Sequence, residues 1–188
     1  MNALRQEGPD WHQWRKAGIG ASDAPIIMGV SPYKTPHELW LEKTGRKPPF
    51  AGNWATRRGV TLEPIARYHY EAVTGHVVQP HCRQHPDLPW MRASLDGINF
   101  EGDLILEIKC PGKGDHAQAL DGQVPEKYRP QIQHQLAVTN ARICHYWSFD
   151  GKKGALVAVS PDRAYIEELV ERERAFWDCV LEDREPQP

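Results

Sequence analysis

The sequence predicts an α/β fold, a central mixed sheet flanked by helices, on three observations. Segments such as "TPHELWLEKTG" carry apolar residues at helical spacing between capping residues. Segments such as "DLILEIK" alternate at period two, as strands do. The two kinds follow in the order helices, strands, helix, strands, helix, which packs helices against a sheet.

Each element has its own signals. "SDAPIIMG" predicts a short helix with Ser22 or Asp23 as cap and Gly29 just past its end. In "TPHELWLEKTG", Thr35 is the N-cap, Pro36 takes the first helical position, Glu38 closes a capping box and Gly45 stops the helix. "TLEPIARYHYEAVTG" predicts a third helix with Leu62, Ile65, Ala66 and Val73 on its apolar side and Gly75 at its end. "HVVQP" begins a strand, and "SLDGINFEGDLILEIKCPG" reads as two strands joined by a turn. "VPEKYRPQIQHQLAVTN" predicts a helix with Ile132 and Leu136 toward the core, provided Pro130 lies in its first turn. "RICHYWSF" and "ALVAVS" are strands joined through "DGKKG". Ser160 and Pro161 open a long final helix striped by Ile166, Leu169, Val170, Phe176 and Val180. Trp14, Trp40 and Trp147 read as core packing first, with stacking on bases as the lesser alternative.

A length of 188 residues suits a single domain spanning 1–188. No apolar run is long enough to span a membrane, and "MNALRQEGPDWHQW" lacks the apolar stretch of a signal peptide, so a cytoplasmic location is expected. The net charge of −2 argues against gripping nucleic acid by bulk charge alone. It leaves room for a local basic groove, with Arg57, Arg58, Lys43, Arg46 and Lys47 as candidates. Cys82, Cys110, Cys144 and Cys179 form no C-x-x-C pair, so they read as free thiols rather than zinc or iron–sulfur ligands.

The strand "DLILEIK" carries the chemistry. Leu104, Leu106 and Ile108 point one way, and Ile105, Glu107 and Lys109 the other. A hairpin brings Asp96, on the preceding strand, beside Glu107. Two carboxylates so close repel unless a cation lies between them. A hard ion such as Mg²⁺ takes oxygen ligands of this kind. A lysine beside them orients or activates a water, or offsets charge building on a phosphate. Asp, then Glu-x-Lys after ten intervening residues, is a metal-dependent phosphodiesterase arrangement; an ion pair on a solvated sheet face is the competing reading.

Three further features favour the first reading. Glu63, after "RRGVTL", offers another carboxylate on a helix, though a solvated position would look the same. Tyr128, Gln131 and Gln135 share one helix face, where amides can orient the lysine, contact a phosphate or simply face solvent. In "RKAGIGASD", Arg15 precedes a glycine-rich turn and Ser22 opens a helix, a combination suited to a phosphate or to plain capping.

In order, the chain shows R-x-x-G-I-G-A-S-D, S-P-Y-K-T-P-x-E-L-W-x-x-K-T-G, R-G-x-x-x-E-P, S-L-D-G, E-I-K-C-P and Y-x-x-Q-I-Q-x-Q-L. From about Trp11 to about Asn140 this resembles the phage lambda-type exonucleases, the YqaJ-like viral recombinases of the PD-(D/E)XK nuclease superfamily. The resemblance implies a restriction-endonuclease-like core and a Mg²⁺-dependent 5′→3′ double-strand DNA exonuclease of phage recombination, with Mn²⁺ as an alternative ion. It implies Asp96, Glu107 and the Ile108 carbonyl as metal ligands, Lys109 as catalytic lysine, Glu63 as the helix acid and Gln131 as the glutamine of the family's QxQ helix. Arg15 and Ser22 fit its pocket for the 5′-phosphate of linear duplex DNA. It further implies a homotrimer that works with a single-strand annealing protein. The chain departs at Leu95, where the superfamily has proline before its first Asp; that proline is not a ligand, and the ligand set carries over. A related endonuclease and a non-catalytic DNA-end-binding module are the alternatives.

Overall fold

The computed structural model describes residues 4, 6, 8–49 and 51–187. Part of the N-terminal stretch read above for a leader lies outside them. Six strands form one mixed sheet, with β3 (Met91–Ile98) as its hub. Along one edge β2 (Gln79–Gln84) pairs antiparallel with β3. The other edge forks: β1 (Ile19–Gly20) pairs in parallel at Met91 and Arg92, and β4 (Leu104–Lys109) pairs antiparallel at Gly97 and Ile98. Ala93 to Asp96 ladder with neither strand on that edge, so Asp96 stands where the sheet opens. β4 continues in parallel into β5 (Ile143–Phe149), and β5 turns antiparallel onto β6 (Gly154–Val159). The parallel step requires a crossover, supplied by α5 (Lys113–Leu120) and α6 (Arg129–Thr139).

Helices cover both faces. Ile132 and Leu136 of α6 pack on Met91, Leu95, Ile105 and Tyr146. On the opposite face α4 (Trp54–Thr74) sets Ala66 and Tyr70 against Leu104, Leu106, Ile108 and Trp147. The two clusters thus take alternate residues of β4, as the period-two pattern predicts. A third cluster joins Ile19 to α2 (Ala24–Ile27), α3 (Pro36–Lys43) and α7 (Arg163–Leu181) through Ile26, Trp40 and Phe176.

The α3 capping box is present: Glu38 N–H donates to Thr35 Oγ1 at 3.3 Å and Thr35 N–H to Glu38 Oε2 at 3.1 Å. Pro130 lies in the first turn of α6, after a 3₁₀ turn at Glu126–Tyr128. Trp40 and Trp147 are core residues, whereas Trp14 is half-buried under the Arg92 guanidinium. All four cysteines are free thiols.

Other expectations need correction. α4 starts at Trp54, well before the expected turn, because Asn53 caps it by accepting the Thr56 N–H at 3.0 Å. Pro64 therefore sits inside the helix, on an exposed position where losing one N–H costs least. The buried face of α4 is Ala66 and Tyr70, while Ile65 and Val73 are 53% and 63% exposed; the sheet selects the side bearing the Tyr70 ring. β2 begins at Gln79, after "HVV", and Pro80 occupies a register shift between Gln79 and His81 on this edge strand. α7 starts at Arg163 with Asp162, not Ser160, as its cap. α1 (Pro9–Lys16), β1 and α5 escape sequence reading, being short. Two glycines of the quoted motifs have steric reasons: a Cβ on Gly18 would stand 2.5 Å from the Trp90 carbonyl oxygen, and one on Gly97 2.7 Å from Val78 Cγ2.

Candidate active site at the forked sheet edge

At the fork the Asp96 side chain takes over from the backbone ladder: Oδ2 accepts the Ile108 N–H at 2.7 Å. Glu107 is 1% exposed and points toward α6. Its Oε1 accepts from Gln131 Nε2 at 2.7 Å and contacts the Lys109 ammonium, and its Oε2 accepts from Gln135 Nε2 at 2.6 Å. Gln131 and Gln135 lie one helical turn apart, so both amides reach the same carboxylate. The shared amide face therefore holds the acid rather than the lysine, and Gln135 is buried rather than solvated. The Lys109 ammonium also lies 5.4 Å from the Tyr128 ring centroid, and Tyr128 donates its hydroxyl to Asp115 at 3.0 Å.

The electrostatics are unbalanced. Burial, then the negative charges of Glu107 and Glu63, push the Asp96 carboxyl well above its ordinary value; Lys109 and the Ile108 N–H offset this only in part. For Lys109 burial favours the neutral amine, but Glu107 and Asp96 outweigh it and hold the ammonium above its ordinary value. Burial pushes the neighbouring Cys110 thiol up to about 11, which removes it as a thiolate nucleophile near neutral pH.

Glu63 reaches the site from α4. Its Oε1 accepts from Arg67 Nη2 at 2.5 Å, while Arg67 Nε donates to the Asp96 carbonyl at 2.8 Å. Arg67 thus ties the helix acid to the Asp96 backbone. Sequence reasoning misses this residue, although its place four positions after Glu63 is an available signal. Asp96, Glu107, Ile108, Lys109, Glu63 and Gln131 all line one cleft of about 1340 Å³.

Arg15 and Ser22 are together but are not among the residues lining that cleft. Arg15 Nη2 donates to Ser22 Oγ at 2.7 Å, and the guanidinium lies 4.7 Å from the Trp11 ring centroid. Behind them Asp23 accepts the Gly20 N–H at 2.9 Å and pairs with Lys43 at 2.7 Å. Burial favours the neutral Asp23 acid, but Lys43 and Arg15 outweigh it and hold the carboxyl below its ordinary value. Among the groove cations proposed from sequence, Lys43 is therefore a structural partner, and Arg46 pairs with Asp183 at 2.6 Å. Lys47 and Arg58 do line the cleft. Arg58 donates to the carbonyls of Cys110 at 2.8 Å and Asp150 at 3.0 Å, latching the start of α4 to the end of β4.

Among the described residues, no three His, Cys, Asp or Glu side chains gather as a metal cluster. The carboxylates that meet at the fork are Asp96 and Glu107. These hard oxygens fit Mg²⁺, and the carboxylate surplus that raises Asp96 is what such an ion neutralises.

The YqaJ-like viral recombinase domain matches residues 10–142. The uncharacterized protein YqaJ of Bacillus subtilis (strain 168) is 32% identical over 184 residues, which is 94% of this chain; the chain spans 58% of the length of YqaJ. The crystal structure of LHK-Exo, an alkaline exonuclease from Laribacter hongkongensis, superposes with a TM-score of 0.78 at 26% identity, covering 92% of this chain and 93% of that one. Its complex with dAMP gives 0.82 at 25% identity over 94% of each chain. A phage related exonuclease from Haemophilus somnus 129PT, 14% identical, shares the fold at a TM-score of 0.64 over 88% of this chain and 96% of its own. With its forked mixed sheet flanked by helices, the chain has the restriction-endonuclease-like fold of the lambda-exonuclease-like nucleases and belongs to the YqaJ-like viral recombinase domain family.

Proposed function

We propose that the chain is a Mg²⁺-dependent 5′→3′ exonuclease of linear double-stranded DNA that leaves 3′ single-stranded tails in phage-type homologous recombination. The convergence of Asp96, Glu107 and Lys109 on one cleft carries the proposal. The dAMP held by LHK-Exo supports a DNA strand as the ligand.

Asp96, Glu107 and the Ile108 carbonyl would hold Mg²⁺, or Mn²⁺ in its place. Bound there, the ion would supply Lewis-acid polarisation of a phosphoryl oxygen. Gln131 and Gln135 fix the orientation of Glu107, as outer partners of a ligand do. Lys109, kept as an ammonium, offsets negative charge building on the phosphoryl group and holds the attacking water by donation, not as a base. Glu63, held by Arg67, adds a carboxylate at the rim of the ligand set. The Arg15 guanidinium and Ser22 hydroxyl together receive the 5′-phosphate of the strand being digested. Family resemblance extends the proposal to a homotrimer acting with a single-strand annealing protein, and the sequence reading adds a cytoplasmic location. No helix among the described residues is long and apolar enough to cross a membrane.

The test is digestion with Mg²⁺ of linear duplexes bearing 5′-phosphate or 5′-hydroxyl ends, beside a covalently closed circle. Loss of the 5′-phosphorylated strand with the circle intact is the expected result. Cutting of the circle would replace the exonuclease with an endonuclease. Binding of ends without cleavage of any form would leave a non-catalytic module.

A further inference from the structure

One histidine on the cleft wall has no part in the ligand set, yet it is held in a fixed orientation. His116, in the first half of α5, is 7% exposed and lines the cleft. Its Nδ1 lies 2.8 Å from Oγ of Ser148, a fully buried hydroxyl on β5. Its Nε2 has no hydrogen-bond acceptor among the described residues; Asp150 Oδ2 stands 3.9 Å away, beyond hydrogen-bond reach. The other oxygen of Asp150 is occupied by the backbone N–H groups of Lys152 and Lys153, each at 2.7 Å.

These contacts select a tautomer. The Ser148 hydroxyl can donate or accept. A lone pair on Nε2 would face the Asp150 carboxylate, so the neutral ring carries its proton on Nε2 and accepts from Ser148 through Nδ1. The open N–H is then presented beside the cleft. Ser148 is the parallel register partner of Lys109, which places the support of His116 about one strand spacing, ~4.8 Å, from the lysine backbone. Lys113, one turn before His116, and Lys152 line the same cleft, and Lys152 together with the two backbone N–H groups stabilises the Asp150 charge.

We infer that His116 is a phosphate-binding residue of the cleft: its Nε2–H donates to a backbone phosphate of the DNA strand lying across Lys109, and Ser148 is the positioning residue that fixes the tautomer. A phosphate oxygen can come within hydrogen-bond distance of a proton that Asp150 is too far to claim. The inference rests on the cleft being the DNA site proposed above.

The competing role is plain packing of α5 onto the β5–β6 hairpin. Two substitutions separate them: His116→Gln keeps an N–H donor near the position of Nε2, and His116→Phe keeps the bulk without a donor. Binding of a 5′-phosphorylated duplex is measured by fluorescence anisotropy with Ca²⁺ replacing Mg²⁺, alongside kcat and KM with Mg²⁺ and melting temperatures. The expected result is roughly 10-fold weaker binding and a raised KM for His116→Phe, near-native values for His116→Gln, and an intermediate loss for Ser148→Ala. Equal affinities for the Gln and Phe variants, whatever their melting temperatures, would overturn the inference while leaving the nuclease reading intact. Failure of the unmodified protein to bind the duplex would overturn both.

Discussion

Asp23 and Asp96 make an instructive pair. Both carboxylates accept a backbone N–H, from Gly20 at 2.9 Å and from Ile108 at 2.7 Å, and both lie beside a lysine. Their ionisation shifts in opposite directions. Asp23 has Lys43 at 2.7 Å and Arg15 nearby, so cations outnumber it and its charge is stabilised. Asp96 shares one lysine with Glu107 and feels Glu63 as well, so acids outnumber the cation. The first arrangement is complete as folded and fastens the strand β1 turn to α3. The second carries a surplus of negative charge in a cleft, the condition under which a folded protein gives up stability to hold a ligand ion.

Removing each lysine exposes the difference. Lys109→Ala should lower cleavage by roughly 10³-fold while duplex binding in Ca²⁺ persists, because the charge it supplies matters most as the phosphoryl group gains charge. Retained turnover in that variant would place Lys109 in the same structural class as Lys43. Lys43→Met should do the reverse. It strands a buried carboxylate and should destabilise the fold by about 3 kcal/mol in denaturant titration. Its kcat at saturating DNA should survive. Any functional loss should fall on KM, since Asp23 would then draw Arg15 away from the proposed 5′-phosphate site. A collapse of kcat below the unfolding transition would mean that the two charge clusters are not separable.

Much of this contrast is legible in the chain before folding. Strand periodicity alone puts Glu107 and Lys109 on one face, and the helix period puts Gln131 and Gln135 together. What stays hidden depends on packing between distant segments. Nothing local marks Lys43, an ordinary last-turn helix residue, as the partner of an aspartate twenty positions earlier in the chain. Arg67 finds its role only when α4 lies across the fork and aims it at the Asp96 carbonyl. His134 on α6 and Glu173 on α7 likewise lie far apart in the chain; they meet at 2.7 Å, fully buried, only when those helices pack. The exposed Ile65 and Val73 mislead for the converse reason, since an apolar residue reveals its face only once the sheet has chosen which side of α4 to cover.

The smallest effect bears most directly on the pair. The folded pKa of Asp96 lies above its unfolded value near 3.8, so as pH rises the unfolded chain releases this proton first. Between the two values the native state holds more protons, and stability falls with rising pH, staying reduced above the window. Asp23, with its folded pKa depressed, has the opposite sign: its contribution is present above its unfolded value and is lost as pH falls through the folded one. Asp96→Asn retains an oxygen to accept the Ile108 N–H but cannot ionise. In EDTA near neutral pH it should be more stable than the unmodified protein by on the order of 1 kcal/mol, with the gain shrinking toward acid pH. Adding Mg²⁺ should reverse the order, because the unmodified protein gains ion-binding free energy that the variant has largely given up. Urea titrations of both proteins, with and without Mg²⁺ and across acid to neutral pH, read all of these quantities. If the Asp96→Asn variant is instead the less stable of the two in EDTA at every pH, Asp96 is as fully compensated by its neighbours as Asp23, and the charge surplus assigned to the fork does not exist.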